Sequence, residues 1–180
     1  MAQKKFRMRN WFWIPLCFLL FLVFTTKVAL AKSDYVLPYP SAMPGSIFYK
    51  LNLIKEEVLR YWYFGDFGQF KYNLSKSDKY LVEAKTLFEY KQYFLGLNAL
   101  YKSKGYYNKS YPFLLKAHNK GKDTRNNLIL FESASVKHIE ILLRMKSEIP
   151  EEFTWEPEKS SPTKLYLHKE IEDSIKARQK

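Results

Sequence analysis

The sequence predicts an all-α protein: an antiparallel helical hairpin extended into a four- to five-helix bundle, preceded by a signal peptide and a Pro-rich lead-in. Three observations predict it. Apolar residues recur at alternating spacings of three and four along most of the chain, which places them on one face of successive helices. Gly, Pro and Asp clusters interrupt that rhythm at intervals of a helix length. No segment of strand length shows a competing alternation of apolar and polar residues.

Residues 1–31 come first. Lys4, Lys5, Arg7 and Arg9 precede any acid, Trp11 to Phe24 is apolar apart from Pro15, and Ala29-Leu30-Ala31 offers small side chains at a cleavage spacing. A basic stretch, an apolar stretch and an Ala-x-Ala site are the three parts of a secretory signal, with Ala29 and Ala31 marking the cut. The rival is a retained membrane anchor over residues 11–30, which needs about 20 apolar residues to cross the hydrocarbon core. Both place the remainder outside the cytoplasm, secreted or in the periplasm or cell envelope. Cys17 is the sole cysteine, so cleavage after Ala31 leaves no thiol for a disulfide or a Cys-based metal site. Cleavage also removes five basic residues and lowers the net charge from +12 to +7, a basic excess suited to anionic partners.

Residues 32–45 form an extended lead-in, because Pro38, Pro40 and Pro44 fall within seven residues. The helical domain occupies 46–150. Ser46 stands as an N-cap, and a first helix follows from Ile47 to about Phe64 with Ile47, Leu51, Ile54, Val58 and Tyr61 as its buried face. Gly65-Asp66-Phe67-Gly68 ends it, and Asp66 with Gln69 has the spacing of a capping pair for the second helix. Phe67, Phe70, Leu74, Ser77, Leu81, Ala84 and Phe88 then keep a regular 3-4 spacing to about Tyr90, with Ser77 and Ala84 small enough for close approach of a neighbour.

A third helix starts near Lys91 with Tyr93, Leu97 and Leu100 inward, and a bend or break is expected between Gly105 and Pro112. A fourth runs from about Thr124 to Ser147, carrying Leu128, Phe131, Val136, Ile139, Leu142 and Leu143 inward, and Pro150 ends it. Residues 151–161 read as an acidic linker. Residues 162–180 read as a C-terminal helix opened by Ser161-Pro162, with too few apolar residues to demand tight docking.

Three stretches carry a family resemblance. Pro44-Gly45-Ser46-Ile47-Phe48-Tyr49-Lys50-Leu51 resembles the Leu-Pro-x-Ser-x-x-Tyr-x-Leu entrance of an exported bacterial family, domain-of-unknown-function family 5667. Asp78 to Ala84 is similar to its Lys-Arg-Leu-x-Glu-Ala stretch, with Tyr80 at the place of the Arg. His138-Ile139-Glu140 and Ile149 to Glu152 resemble its end. The resemblance covers about residues 35–152 and implies an exported helical domain of unassigned function, with no catalytic residue to carry over.

The residues themselves offer no catalytic or metal constellation. His118, His138 and His168 stand alone, without the local ligand spacing a zinc site requires. Glu56 and Glu57 are neighbours on a helix, which is a poor arrangement for an acid/base pair, and glycine-loop and nucleophile-elbow motifs are missing. No cofactor is expected, and the chain reads as not an enzyme. The most distinctive segment lies between Glu89 and Asp123, which holds seven lysines, eight aromatics and no acid. Lysines attract an anionic polymer and aromatics stack on bases or sugar faces, which makes Lys102, Lys104, Tyr106, Tyr107, Lys109 and Lys116 a candidate anionic-polymer site. The competing explanation is the wet face of a helix whose aromatic side is core.

The expected function is therefore a non-catalytic cell-envelope interaction or scaffolding module. Its expected partners are an anionic envelope polymer or membrane surface, or a protein reached through helical faces, with no specific nucleic acid. An extracytoplasmic sensor or stress-responsive helical protein is the alternative, and an envelope hydrolase is the third.

Overall fold

The computed structural model describes residues 33–40, 43–159 and 161–179. The signal segment, with Ala29 and Ala31, lies outside the described residues. Among the described residues five helices and one two-stranded sheet follow in order: α1 Ile47–Arg60, α2 Gly65–Glu89, α3 Tyr93–Asn119, α4 Arg125–Glu148, β1 Glu152–Trp155, β2 Thr163–Tyr166 and α5 Leu167–Lys176. The helical bundle is as the periodicity predicts.

The α2–α3 hairpin is its spine. Lys91 takes a left-handed conformation with φ 58° at the turn, where Gln92 N donates to Leu87 O and Lys91 N to Phe88 O. That is the hydrogen-bond pattern of a Schellman stop, a place that favours glycine. Gly96 then lets the helices approach, because a Cβ there would meet the Phe88 ring at 2.6 Å. Ser77 and Ala84 are fully buried along the same seam, as their small size predicts. α3 ends on Gly121, whose φ is 73°.

Two apolar clusters fill the interior. One gathers Leu81, Leu87, Phe88, Leu97, Leu100, Leu142 and Met145 with Leu165, Leu167, Ile171 and Ile175 from the C-terminal segment. The other gathers Phe70, Leu74, Tyr107, Leu114 and Ala134. The lead-in is tied to both: Tyr35 packs on the second, Leu37 and Met43 pack on the first.

Several expectations are corrected. The first helix forms, and the Ser46 side chain caps it by accepting from Phe48 N at 3.2 Å, but none of its residues is buried. The stripe expected in the core faces outward, with Ile47 79 %, Leu51 56 %, Ile54 64 % and Val58 63 % exposed. What meets the bundle is the opposite, polar side. The first two helices still run antiparallel, since Tyr49 reaches Glu83 while Glu56 reaches Lys76 and Lys79.

Asp66 does not cap α2. Phe64 is the cap residue without a side-chain bond, Asp66 sits in the first turn, and Gln69 donates to Tyr63 O at 2.7 Å. α3 runs unbroken through Gly105 and Pro112, because Pro112 is exposed and costs the helix one backbone bond without disturbing a packed face. The contact line of α4 is Ala134, His138, Leu142 and Met145, leaving Leu143 at the surface.

The 151–161 linker is instead part of an antiparallel hairpin. Phe153 pairs with Leu165 and Trp155 with Thr163 across β1 and β2. Pro162 therefore precedes a strand, and the last helix starts only at Leu167. Phe153 and Trp155 turn inward, where Trp155 stacks on Phe94 at 4.2 Å and Phe153 meets Tyr93 at 4.8 Å. The final helix docks tightly, since Leu167, Ile171 and Ile175 are core residues spaced by four.

Candidate functional site

A polar layer lies among the buried side chains of α2, α3, α4 and α5. Asp78 from α2 accepts from His138 Nε2 at 2.8 Å, and Arg178, just after α5, donates from Nε to His138 Nδ1 at 3.0 Å. Arg178 has no acceptor, so Nδ1 must receive its proton and Nε2 must carry the ring hydrogen. Burial lowers the His138 pKa, opposed by the hydrogen bond to Asp78 and reinforced by the Arg178 charge, so the ring is neutral. The second Asp78 oxygen accepts from Tyr35 Oη at 2.6 Å, tying in the lead-in.

The guanidinium also donates to Ser174 O at 2.9 Å, Ser174 Oγ at 2.8 Å and Ser103 Oγ at 2.8 Å, and lies 4.9 Å from the Tyr107 ring centroid. Burial brings the Arg178 pKa down to about 10, which leaves it charged at neutral pH. One carboxylate and one guanidinium thus flank a neutral ring. Both His138 nitrogens are engaged, leaving no lone pair for a metal or a substrate proton. This layer has the chemistry of a fastener: it joins the lead-in, α2, α3, α4 and the C-terminus.

The lysine–tyrosine segment divides between core and surface. Tyr107 is 3 % exposed, packs on Phe131 at 4.8 Å and bonds to Ser135, so it is core and leaves the candidate site. Tyr106-Tyr107 looks unlike core in sequence, but the two side chains point about 100° apart on one helix, Tyr107 into the core and Tyr106 to its half-buried border. Lys104 turns toward α5, 4.0 Å from Glu170. Lys116 lies 4.0 Å from Asp66, which also receives Lys120 at 2.7 Å and Lys122 at 3.6 Å. The hydrogen bond from Lys120 holds the Asp66 carboxyl below its ordinary range.

Lys102, Tyr106, Lys109 and Lys116 share one side of α3, the lysines seven residues and so about 10 Å apart along the axis. Tyr106 stacks on Tyr80 of α2 with centroids 5.6 Å apart and planes 12° apart, and Tyr72 meets Tyr106 edge-on at 6.4 Å. Lysine ammonium groups surround this platform. Lys102 lies 5.2 Å and Lys79 5.3 Å from the Tyr80 centroid, Lys76 5.7 Å from both Tyr72 and Tyr80, and Lys109 5.5 Å from Tyr106. Among the described residues neither Lys102 nor Lys109 has a carboxylate within salt-bridge range. The sequence pattern marks the α3 half of this face. The α2 half, with Tyr72, Lys76, Lys79 and Tyr80, lies about 25 residues earlier, and its partnership exists only once the hairpin closes.

The platform has an acidic border. Glu56 of α1 forms ion pairs with Lys76 and Lys79. Burial acts to raise the Glu56 pKa, but the hydrogen bonds from the two lysines prevail and hold it low. Burial lowers Lys76. Glu83 accepts from Tyr49 Oη at 3.1 Å through one oxygen, while the other is buried without a partner, and burial raises its pKa. A cavity of about 160 Å³ opens beside the ion pairs, lined by Glu56, Leu59, Tyr63, Tyr72, Lys76 and Lys79 among others.

Of the remaining histidines, His118 is exposed and His168 bonds Ile149 O at 3.0 Å. Among the described residues no group of three or more His, Cys, Asp or Glu side chains is placed to hold a metal ion. No protein-family model, curated protein or solved structure matches the chain.

Proposed function

We propose that this chain is an exported, non-catalytic module of the cell envelope that binds an anionic polymer through the α2–α3 lysine–tyrosine face. The observation that carries the reading is the Tyr80–Tyr106 stack with Lys102 and Lys109 over it, two ammonium groups with no salt bridge among the described residues. Cations seven residues apart suit a chain of repeating acidic units, whose charges meet Lys102 and Lys109. Tyr80, 4 % exposed, is the buried base of the stack, and of the stacked pair it is the half-buried Tyr106 that is open to a sugar or polyol unit. Export by residues 1–31, and kinship with the exported bacterial family 5667, belong to the same reading. A signal cut after Ala31 releases the domain, and an uncut 11–30 segment tethers it.

The test is retention of the full chain on immobilised poly(glycerol phosphate), compared with an uncharged dextran support. Retention on the phosphate polymer that falls with added salt, and is lost in Lys102→Glu/Lys109→Glu, is the expected outcome. Equal retention on both supports overturns the reading.

A further inference from the structure

α1 is amphipathic in the usual way and oriented in the unusual one. At about 100° per residue, Ile47, Leu51, Ile54, Val58 and Tyr61 fall within roughly 80° of arc. Tyr49, Asn52, Leu53 and Glu56 occupy the opposite side and are its least exposed residues. Glu56 is fixed by Lys76 and Lys79, and Tyr49 by Glu83, so the polar side is fastened to α2 and the apolar stripe is held outward. Trp62, 77 % exposed, and Phe64, 80 % exposed, extend the apolar surface beyond the helix end.

We propose that this stripe is a docking surface for an anionic lipid bilayer, on which α1 lies in the plane of the interface. Charge complementarity names the occupant. Lys50 and Lys55 stand on the two shoulders of the stripe, about 60° and 80° from its centre line. Both are exposed, and among the described residues neither is paired with a carboxylate. The acids of α1 are already engaged: Glu56 with Lys76 and Lys79, Glu57 with Arg60 at 3.3 Å. The outward side therefore presents apolar side chains flanked by Lys50 and Lys55, with one acid at its edge, Glu57, which shares the Lys50 shoulder and is paired with Arg60. Two ammonium groups beside an apolar stripe are the pattern that seats a helix at the headgroup boundary with lysines reaching lipid phosphates.

Length and fastening agree with this seating. Fourteen residues make a helix of about 21 Å, too short for a hydrocarbon core of about 30 Å, so α1 lies on the bilayer and does not span it. Left-handed glycines bracket the element, Gly45 with φ 102° and Gly65 with φ 69°, while the Glu56 ion pairs and the Tyr49–Glu83 hydrogen bond hold α1 on α2 with its stripe outward. The surface is separate from the polymer-binding face, and neither proposal rests on the other.

Because an uncut 11–30 segment would hold the full chain on lipid by itself, the experiment must report on α1 alone. Full-length protein with Cys17→Ser carries one environment-sensitive fluorophore at Ile54→Cys, or at Asn52→Cys as the inward control. It is reconstituted with phosphatidylcholine vesicles with or without phosphatidylglycerol, with nitroxide placed high on the acyl chains. Several-fold stronger quenching at position 54 than at 52, dependent on phosphatidylglycerol and lost in Lys50→Glu/Lys55→Glu, is the expected result. Equal quenching at both positions in vesicle-bound protein overturns the proposal. So does a disulfide between two copies of the unlabelled Ile54→Cys variant that forms on vesicles while the labelled protein shows no quenching at position 54, since the occupant is then a second copy of the chain.

Discussion

Replacing Arg178 with methionine tests whether the buried polar layer holds the C-terminal segment to the bundle. The substitution keeps an unbranched apolar stem and removes the guanidinium alone. His138 Nδ1 and Ser174 Oγ then lose their donor, while Ser103 Oγ keeps Ser77 O at 2.8 Å and Ser77 Oγ at 3.4 Å. Orphaned buried acceptors cost about 1 to 3 kcal/mol each. Asp78, also buried, loses its balancing charge, and removing one partner of such a pair costs about 3 to 5 kcal/mol in all. The expected loss is therefore about 3 to 5 kcal/mol in urea unfolding, read from the midpoint at constant slope. Replacing the layer as a unit, Asp78→Leu/His138→Leu/Arg178→Met, is expected to recover much of that loss, because no buried charge is left alone. His138 adds a pH signature. Its folded pKa lies below its unfolded value, so its contribution is present above about pH 6.5 and is lost as pH falls through the folded value. A loss below about 1 kcal/mol for Arg178→Met, the size of one ordinary hydrogen bond, refutes the fastener.

Three further outcomes follow from local geometry. Glu83→Gln removes a buried charge with an orphaned oxygen and is expected to stabilise the protein by about 1 kcal/mol at neutral pH. The folded pKa of Glu83 is raised, so its native penalty is absent below the unfolded value near 4.5 and grows as pH rises; the gain should vanish in acid when urea midpoints are compared across pH. Lys91→Gly relieves a left-handed backbone costing roughly 1 kcal/mol, partly offset by unfolded-chain entropy, for a net gain of about 0.5 kcal/mol in thermal unfolding. Gly96→Ala forces the buried Phe88 ring to shift, and a loss of about 1 to 2 kcal/mol is expected despite better helix propensity, measured by urea unfolding.

Local periodicity made the helices legible, while their environment was decided by distant residues. The stripe of α1 is unmistakable in sequence, but its direction depends on Glu56 meeting Lys76 and Lys79, some 20 residues away. Asp78 and His138 are 60 residues apart, and His138 and Arg178 are 40, so a spacing-based search passes over them. The hairpin strands are four residues each, and Phe153, Trp155 and Leu165 are their main apolar signal, too short to outweigh Pro157 and Pro162. At the lysine–tyrosine face, composition found Lys102, Tyr106 and Lys109. Tyr107 departs from the pattern because adjacent tyrosines on a helix point about 100° apart, here one half-buried in the stack on Tyr80 and one in the core.

The polymer-binding claim is tested most directly by the affinity of the full chain for soluble poly(glycerol phosphate) across a salt series. Binding that weakens linearly on a logarithmic salt scale, with the slope reduced by about two counterions in Lys102→Gln/Lys109→Gln, is the predicted result. A salt-independent affinity, or one that the double substitution leaves unchanged, contradicts the account.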